Sequence, residues 1–303
     1  MNTRSRRFVV VDILLLLLTV VPFIVGIVIK VLTSPATEGV HISGAQIYFT
    51  IPMPLQNLPI TSAQINSALV IISILGLCLW FTHGMSVKKP TRRQHLAEWA
   101  VTTLENITND NMGDFFAGYA PFVGAILALS AFSSLSSLLG IFPPTSDINI
   151  VAGWAILVFI LITYYKLKGG FLNYAKGFTE PIFIMAPLNL LSEMATPVSM
   201  AFRHYGNVLS GSIIAVLIAT ALQGLSSLLL GWLPGVLGDI PFLQMGIPAI
   251  LSLYFDVFSS CIQAYIFAML TMLNISGGMP FDEYEKRKQK KLEKKNKKLQ
   301  INN

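Results

Sequence analysis

The most constraining feature of this sequence is an arginine inside a long apolar stretch. Between Ser199 and Gly277 the only charged side chains are Arg203, Asp239 and Asp256. A guanidinium group stays protonated at biological pH, and at the middle of a membrane helix it costs about 2.5 to 3.5 kcal/mol. A charge placed at this cost implies a functional use.

Polar and small residues recur at helical spacing in two parts of this stretch. The first set, here called the arginine face, comprises Ser199, Arg203, Asn207 and Ser210, with Gly206 and Gly211 beside it. The second set, the aspartate face, comprises Asp256, Ser259, Ser260 and Gln263. Small residues let membrane helices approach closely. An antiparallel hairpin with its turn between Pro234 and Pro241 would bring the two faces together.

Composition places the chain among polytopic membrane proteins, since 53% of its residues are hydrophobic, 12% are charged and the mean hydropathy is +0.65. The net charge of +6 is concentrated in residues 282–303, which hold nine Lys or Arg and four Asp or Glu. It therefore does not indicate nucleic-acid binding. Cys78 and Cys261 lie far apart in apolar segments, which predicts small buried side chains and no disulfide. No metal-ligand spacing occurs, and no cofactor is expected.

The predicted fold class is all-α, a polytopic membrane protein with about six membrane helices. Apolar runs that could cross about 30 Å of hydrocarbon lie at 8–31, 65–81, 119–142, 150–165, 198–232 and 247–276. An amphipathic interfacial helix is predicted over 96–107. The predicted domains are an N-terminal extra transmembrane helix (1–33), an extracellular cap or hairpin (34–62), the membrane domain (63–281) and a basic cytoplasmic tail (282–303).

Basic residues predict the orientation of these spans. Lys and Arg precede the first span, follow the second and fourth, and fill the tail, which places both termini in the cytoplasm by the positive-inside rule. A cleaved signal peptide is the alternative for residues 1–33, but the long apolar run and the lack of a small-x-small cleavage site favour retention. The last two spans are too long to stand upright at 1.5 Å per residue, so each must be strongly tilted or broken at a glycine.

The residues of the arginine face carry a resemblance to a known family. Arg203 is followed by Gly206 and Asn207, PLNLLSE lies upstream, and Gln263 begins the sequence Gln-Ala-Tyr-Ile-Phe downstream. Pro90, Gln94 and Glu98 match the family's signature in an earlier loop. The sequence resembles subunit a of the rotary F-type ATP synthases, the stator half of the ion channel beside the rotating c-ring. This resemblance implies two strongly tilted helices that lie as a hairpin against the c-ring.

The resemblance also implies roles for individual residues. Arg203 would be the essential arginine that exchanges H⁺ or Na⁺ with the c-ring carboxylate, and Asn207 and Gln263 would orient it, unless they only join helices. Ser212 and Asp256 stand where relatives carry ionisable groups of the outer half-channel, and the first of these positions is Ser here. Glu193 resembles the acid of the inner half-channel, with a solvated interfacial carboxylate as the alternative.

The implied protein is a non-enzymatic membrane subunit, and no G-x-x-x-x-G-K-[ST] nucleotide loop is present. Its implied partners are the c-ring, peripheral stalk subunit b, the remaining ATP synthase subunits and membrane lipid, in a bacterial cell membrane. A secondary transporter that uses a buried arginine and aspartate is the alternative from another class, although the internal repeats expected of one are not visible. A third alternative, a passive membrane scaffold, would not need Arg203. The purely structural interpretation of Arg203 is an ion pair with Asp256.

Overall fold

The computed structural model describes residues 3–33, 44–54, 56–87, 90–179, 182–230, 246, 250–282, 284–286 and 289. Its helices and strands are α1 (Thr3–Thr33), β1 (Ile47–Ile51), β2 (Leu58–Thr61), α2 (Ser62–Thr82), α3 (Arg92–Met112), α4 (Ala120–Leu135), α5 (Ile148–Lys168), α6 (Phe171–Thr179), α7 (Ala186–Leu230) and α8 (Ser260–Gly277). Short 3₁₀ turns lie at Asp114–Tyr119, Ser136–Leu139, Pro144–Ser146 and Phe183–Met185, and a π-helix at Leu253–Ser259 precedes α8.

The all-α membrane architecture is confirmed. Six helical segments of the described chain are long and apolar enough to cross a membrane, namely Phe8–Thr33, Ser62–Thr82, Asp114–Leu139, Ile148–Lys168, Phe183–Leu229 and Ile250–Gly277. Strands β1 and β2 pair antiparallel as a two-stranded sheet. The turn from Pro234 to Pro241 and most of the tail lie outside the described residues.

The N-terminal helix α1 packs along α2. Gly76 of α2 lies so close to α1 that an added Cβ would be 2.9 Å from the carbonyl carbon of Leu18. In the first half of α1, Arg93 donates to the Asp12 carboxylate. Near the end of α1, the Lys30 ammonium donates to the Gly140 carbonyl oxygen. Polar contacts in both halves of the helix therefore join it to the rest of the chain.

A shared core joins α4, α5, α7 and α8. Its fully buried side chains include Val123 of α4, Val158 of α5, and Phe267 and Ile275 of α8. Met200 contributes from α7. Large apolar side chains elsewhere on these helices are exposed, as expected of helices that meet lipid. The core thus fixes α7, the helix that carries Arg203, against three neighbours.

Several boundaries differ from the predictions. The third span ends at Leu139 rather than residue 142, because Gly140 leaves the helix with a left-handed φ of 69°. Helix α7 begins at Ala186 rather than residue 198 and continues through Pro197, since membrane helices tolerate an internal proline.

The predicted burial of the two cysteines is wrong. Cys78 and Cys261 are both free and both exposed on the chain. The prediction equated an apolar segment with a buried one. In a membrane helix, however, an apolar side chain is equally stable on the outward face.

Candidate functional site

Arg203 lies near the middle of α7 with its side chain exposed. Within the part of the chain that the structure describes, its guanidinium has neither an ion pair nor a hydrogen bond. A guanidinium carries five N–H donors and cannot shed its charge. Arg203 is therefore a cation whose bonding capacity this chain does not use.

The next residue, His204, points the opposite way, into the core. It is 1% exposed, and its Nε2 lies 3.3 Å from Ser130 Oγ on α4. The rings of Trp154 and Phe267 meet it edge to face at centroid distances of 6.3 and 5.7 Å. Because successive helical residues are about 100° apart around the axis, burying His204 sets the rotation of α7 that leaves Arg203 outside.

The arginine face and the aspartate face do meet. Ser259 Oγ donates to Asn207 Oδ1 at 2.8 Å, and one turn along, Gly211 is buried against Phe255, whose side chain would lie 3.1 Å from an added Cβ. The pairing of Asn207 with Ser259 and of Gly211 with Phe255 runs antiparallel. The tilt of these helices relative to a membrane stays a prediction.

Asp256 lies in the π-helix, where its half-buried carboxylate accepts a hydrogen bond from Ser252 Oγ. The π-helix is also marked by Ser260 Oγ, which donates to the carbonyl oxygen of Phe255, five residues earlier, at 3.3 Å. Single-turn π-helices are rare in proteins as a whole, but those that occur are frequently found at functional sites. No ion pair joins Asp256 to Arg203 in the described chain, so the structural ion-pair interpretation is not realised.

The other two predicted residues of this region are less closely held. Ser212 is exposed, and its Oγ donates to the carbonyl oxygen of Leu209 in its own helix at 2.8 Å. Gln263 is half-buried and makes no hydrogen bond with Arg203 or Asn207 among the described residues. The orienting contacts expected for Arg203 are therefore not made within the chain itself.

Glu193 lies near the start of α7, where it is held in a cluster of polar side chains. Lys166 Nζ of α5 donates to Glu193 Oε1 at 2.8 Å, and the Tyr174 hydroxyl of α6 donates to the same oxygen at 3.0 Å. The Glu193 side chain is 11% exposed and that of Lys166 is 33% exposed. Burial, followed by the hydrogen bond to Glu193, raises the pKa of Tyr174 to about 12, so the phenol keeps its proton and remains a donor.

Two cavities adjoin this cluster. The first, here called the entrance cavity, has a volume of about 370 Å³ and includes Tyr174, Gly177 and Asn189 in its lining. The second, the deep cavity, has a volume of about 290 Å³ and includes Phe159, Thr196 and Asn274. Lys166, Glu193 and Gly278 line both cavities.

The sequence did not indicate the partners of Glu193. In the sequence, Lys166 is one of the basic residues after the fourth span and predicts only the cytoplasmic side, and Tyr174 carries no signal. A pattern along one segment cannot reveal contacts between α5, α6 and α7, which arise from the order in which the helices pack. The sequence offers one hint of this contact. Lys166 lies at the end of one span and Glu193 near the start of the next, so two opposite charges are expected at similar depth.

Comparisons with known proteins cover most of the chain. The family model described as ATP synthase A chain matches residues 65–276. A protein of Propionigenium modestum named ATP synthase subunit a, sodium ion specific, is 27% identical over 284 residues, which is 83% of this chain and 89% of that protein. ATP synthase subunit a of Bacillus pumilus (strain SAFR-032) is 32% identical over 220 residues, 68% of this chain and 86% of that protein. ATP synthase subunit a of Legionella pneumophila (strain Paris) is 27% identical over 231 residues, 75% of this chain and 90% of that protein.

Proposed function

Because the chain belongs to the ATP synthase A chain family, we propose that Arg203 is the fixed cation of its ion channel and faces a carboxylate of the rotating c-ring. The chain is a non-catalytic, multi-pass membrane subunit of the synthase, with an ion-channel stator role. The c-ring carboxylate would exchange H⁺ or Na⁺ as it passes Arg203. That exchange couples ion flow to rotation and thereby to ATP synthesis.

The observation that carries this proposal is the exposed guanidinium of Arg203, which has no ion pair or hydrogen bond among the described residues and lies on a helix whose rotation is fixed. His204 anchors α7 inward by its contacts with Ser130, Trp154 and Phe267. Arg203 consequently faces away from the core. A cation that costs about 2.5 to 3.5 kcal/mol in a membrane needs an anion from elsewhere, and the rotor carboxylate would supply it.

The strength of that pairing explains how the stator would discharge the rotor. Two opposite charges 4 Å apart attract by about 4 kcal/mol at an effective dielectric of 20, which corresponds to about three pKa units. Beside Arg203 the rotor carboxylate would be ionised, and facing lipid it would be neutral. The fixed positive charge would also repel an ion that tried to pass directly, so ions would cross only by rotation of the ring.

Two half-channels would bring ions to the rotor. We assign Asp256 and Ser212 to the outer one, because the π-helix places a carboxylate beside the contact between α7 and the segment leading into α8. We assign Glu193 to the inner one, because it lines two successive cavities. Asn207 and Gln263 complete the polar surface near Arg203 and become its hydrogen-bond partners once the rotor is present.

The remaining assignments follow from this role. The partners would be the c-ring, subunit b, the other synthase subunits and membrane lipid. Both termini would lie in the cytoplasm of a bacterial cell, as the distribution of Lys and Arg indicates. The basic tail would then lie near anionic headgroups, each of which attracts a Lys or Arg by up to about 1 kcal/mol.

The Arg203→Ala variant of the assembled synthase, reconstituted into vesicles, tests the proposal through ATP-driven ion uptake. We expect uptake to be lost while the subunit still assembles, because the removed side chain makes no hydrogen bond or ion pair with the described residues. Arg92→Ala is the matched control, since Arg92 is also exposed on its helix, and it should pump normally. Normal pumping by Arg203→Ala would overturn the proposal.

A further inference from the structure

The entrance cavity and the deep cavity lie in sequence along the same helices. On α7, Asn189 lines the entrance cavity and Thr196, two turns further on, lines the deep one. On α5, Ile162 and Phe159 of the deep cavity precede Lys166. The residue pair Lys166 and Glu193, which lines both cavities, therefore marks the boundary between them.

The deep cavity extends toward Arg203. Thr196 lies seven residues before Arg203 on α7, which is about 10 Å at 1.5 Å per residue. Lys166 and Glu193 line both cavities and lie between the residues that line only one of them. The boundary is therefore set between the entrance cavity and the part of α7 that leads to Arg203.

The bonds at the boundary all converge on one oxygen. Lys166 Nζ and the Tyr174 hydroxyl both donate to Glu193 Oε1, whereas Oε2 accepts no hydrogen bond from the described residues. One carboxylate oxygen is therefore fixed by two donors, and the other stays available to a proton or to water. Lys166 and Tyr174 hold the carboxylate in position without using its whole bonding capacity.

Tyr174 reaches this position because α6 is fastened to α7. Asn189 Nδ2 donates to the carbonyl oxygen of Phe178 at 2.9 Å. The chain enters α6 through Gly170, whose φ of 114° strongly favours glycine. Helix α6 thus lies over the entrance cavity and supplies one of the two donors to Glu193.

Resting on the proposed role of Glu193 in the inner half-channel, we infer that Lys166 and Tyr174 are positioning residues. Their hydrogen bonds hold the Glu193 side chain between the two cavities, and we call this arrangement the latch. The latch consists of these three side chains. It separates the two cavities when both donors are bound, and it opens when the Lys166–Glu193 bond is broken. Loss of the Lys166 bond therefore opens the deep cavity to the cytoplasmic side, and loss of the Tyr174 bond alone opens it to a smaller extent.

Water access measured with engineered cysteines tests the latch in the assembled synthase. Cys78 and Cys261, which are exposed, are first replaced by Ala. Thr196→Cys then reports on the deep cavity and Gly177→Cys on the entrance cavity, where an added Cβ at residue 177 has open space around it. Silver ion, a small thiol reagent, is added to the cytoplasmic side of inverted vesicles, and the rate of modification is measured at each cysteine.

We expect the cysteine at 177 to react quickly. The cysteine at 196 should react at least about tenfold more slowly, because one charge-assisted hydrogen bond must be broken first and contributes about this factor. Lys166→Met should raise the rate at 196 by about tenfold, and Tyr174→Phe by a smaller factor, because its bond is that of a neutral donor. Lys166→Arg should restore the slow rate. Lys168→Met is the control, since Lys168 packs over the rings of Phe115, Tyr164 and Tyr165.

Equal rates at 177 and 196 in the unmodified latch, or an unchanged rate at 196 in both Lys166→Met and Tyr174→Phe, would overturn the inference. Tyr174→Phe retains the ring and keeps the test valid if Lys166→Met fails to assemble. The modification rates do not depend on ion exchange at Arg203. A failed latch with lost pumping in Arg203→Ala rejects only the latch, whereas retained pumping in Arg203→Ala rejects the proposed function.

Discussion

Two charged residues of the same helix, Arg203 and Glu193, are treated in opposite ways by this fold. Glu193 is 11% exposed and receives hydrogen bonds from an ammonium and a phenol of its own chain. Arg203, ten residues further along α7, is exposed and has no polar partner among the described residues. Among the described residues, the fold supplies a counter-charge to Glu193 and none to Arg203.

This difference separates two kinds of functional surface. A charge compensated within the chain can gate or relay an ion without any partner present. A charge left uncompensated in an apolar region must find its counter-charge at an interface, because an isolated ion in low dielectric is strongly unfavourable. Substitutions beside Arg203 should therefore impair the assembled motor, whereas substitutions at internal contacts should change the subunit itself.

The largest expected effect comes from Gly206→Leu on the open side. An added Cβ at Gly206 meets no atom within 4 Å, so the isolated subunit should keep its stability. A leucine there would hold the rotor away. Increasing the distance between the two charges from about 4 to about 8 Å would halve an attraction of about 4 kcal/mol at a dielectric of 20. The loss of about 2 kcal/mol corresponds to about a thirtyfold change in an equilibrium constant. ATP-driven ion uptake should fall by about this factor, and normal uptake would contradict a rotor contact at this face.

Gly211→Leu tests the internal side of the same helix. Phe255 already lies within 3.1 Å of an added Cβ at this glycine, so a leucine should separate α7 from the π-helix at a cost of about 1 to 3 kcal/mol. Thermal unfolding of the detergent-solubilised subunit measures this loss. Gly224→Leu, at a glycine with open space around its Cβ direction, should unfold like the wild type. Equal stability of the two variants would show that the helices are not in contact at Gly211.

Glu193→Gln tests the charge that has a partner within its own chain, the Glu193 carboxylate. The amide keeps the shape of the carboxylate but cannot take up a proton, and losing a positioned acid–base group should reduce coupled pumping by about tenfold or more. Glu105→Gln is the control and should pump normally, since Glu105 is also a helical carboxylate but is exposed on α3. Unchanged ion uptake in Glu193→Gln would remove this carboxylate from the ion path.

The smallest expected effect is that of Tyr174→Phe on pumping, which should change by about threefold or less, the scale of one neutral hydrogen bond. Because the pKa of Tyr174 is raised from 10.0 to about 12, the hydroxyl stays protonated from about pH 6 to about pH 9. The ratio of variant to wild-type pumping should therefore be constant across that range. The stabilisation from the neutral hydroxyl is present below pH 10 and is lost as pH rises toward 12. A ratio that varies between pH 6 and pH 9 would contradict this assignment.

The sequence predicted the parts of this structure that depend on local hydrophobicity. Runs of apolar residues are long enough to identify six spans. Helical spacing places Asn207 and Ser259 on the two polar faces, and the structure joins these two residues by a hydrogen bond, while the tilted hairpin itself stays a prediction. Strands Ile47–Ile51 and Leu58–Thr61 pair antiparallel, whereas the extracellular position of residues 34–62 stays a prediction.

Features that depend on contacts between distant segments were not predictable. The π-helix around Asp256 is stabilised by packing and leaves no periodic signal in LYFDVFS. The fifth span was predicted to begin at residue 198, but the helix begins at Ala186 and continues through Pro197. The donors to Glu193 come from two other helices. Tertiary packing, rather than local propensity, decides each of these cases.

A density map of the assembled rotary complex tests the central claim most directly, through the position of the Arg203 guanidinium. We predict that it faces the c-ring, within about 4 to 6 Å of a rotor carboxylate when that group passes, with His204 still buried against Ser130. An Arg203 side chain paired with Asp256, or directed into lipid away from the ring, would contradict the account.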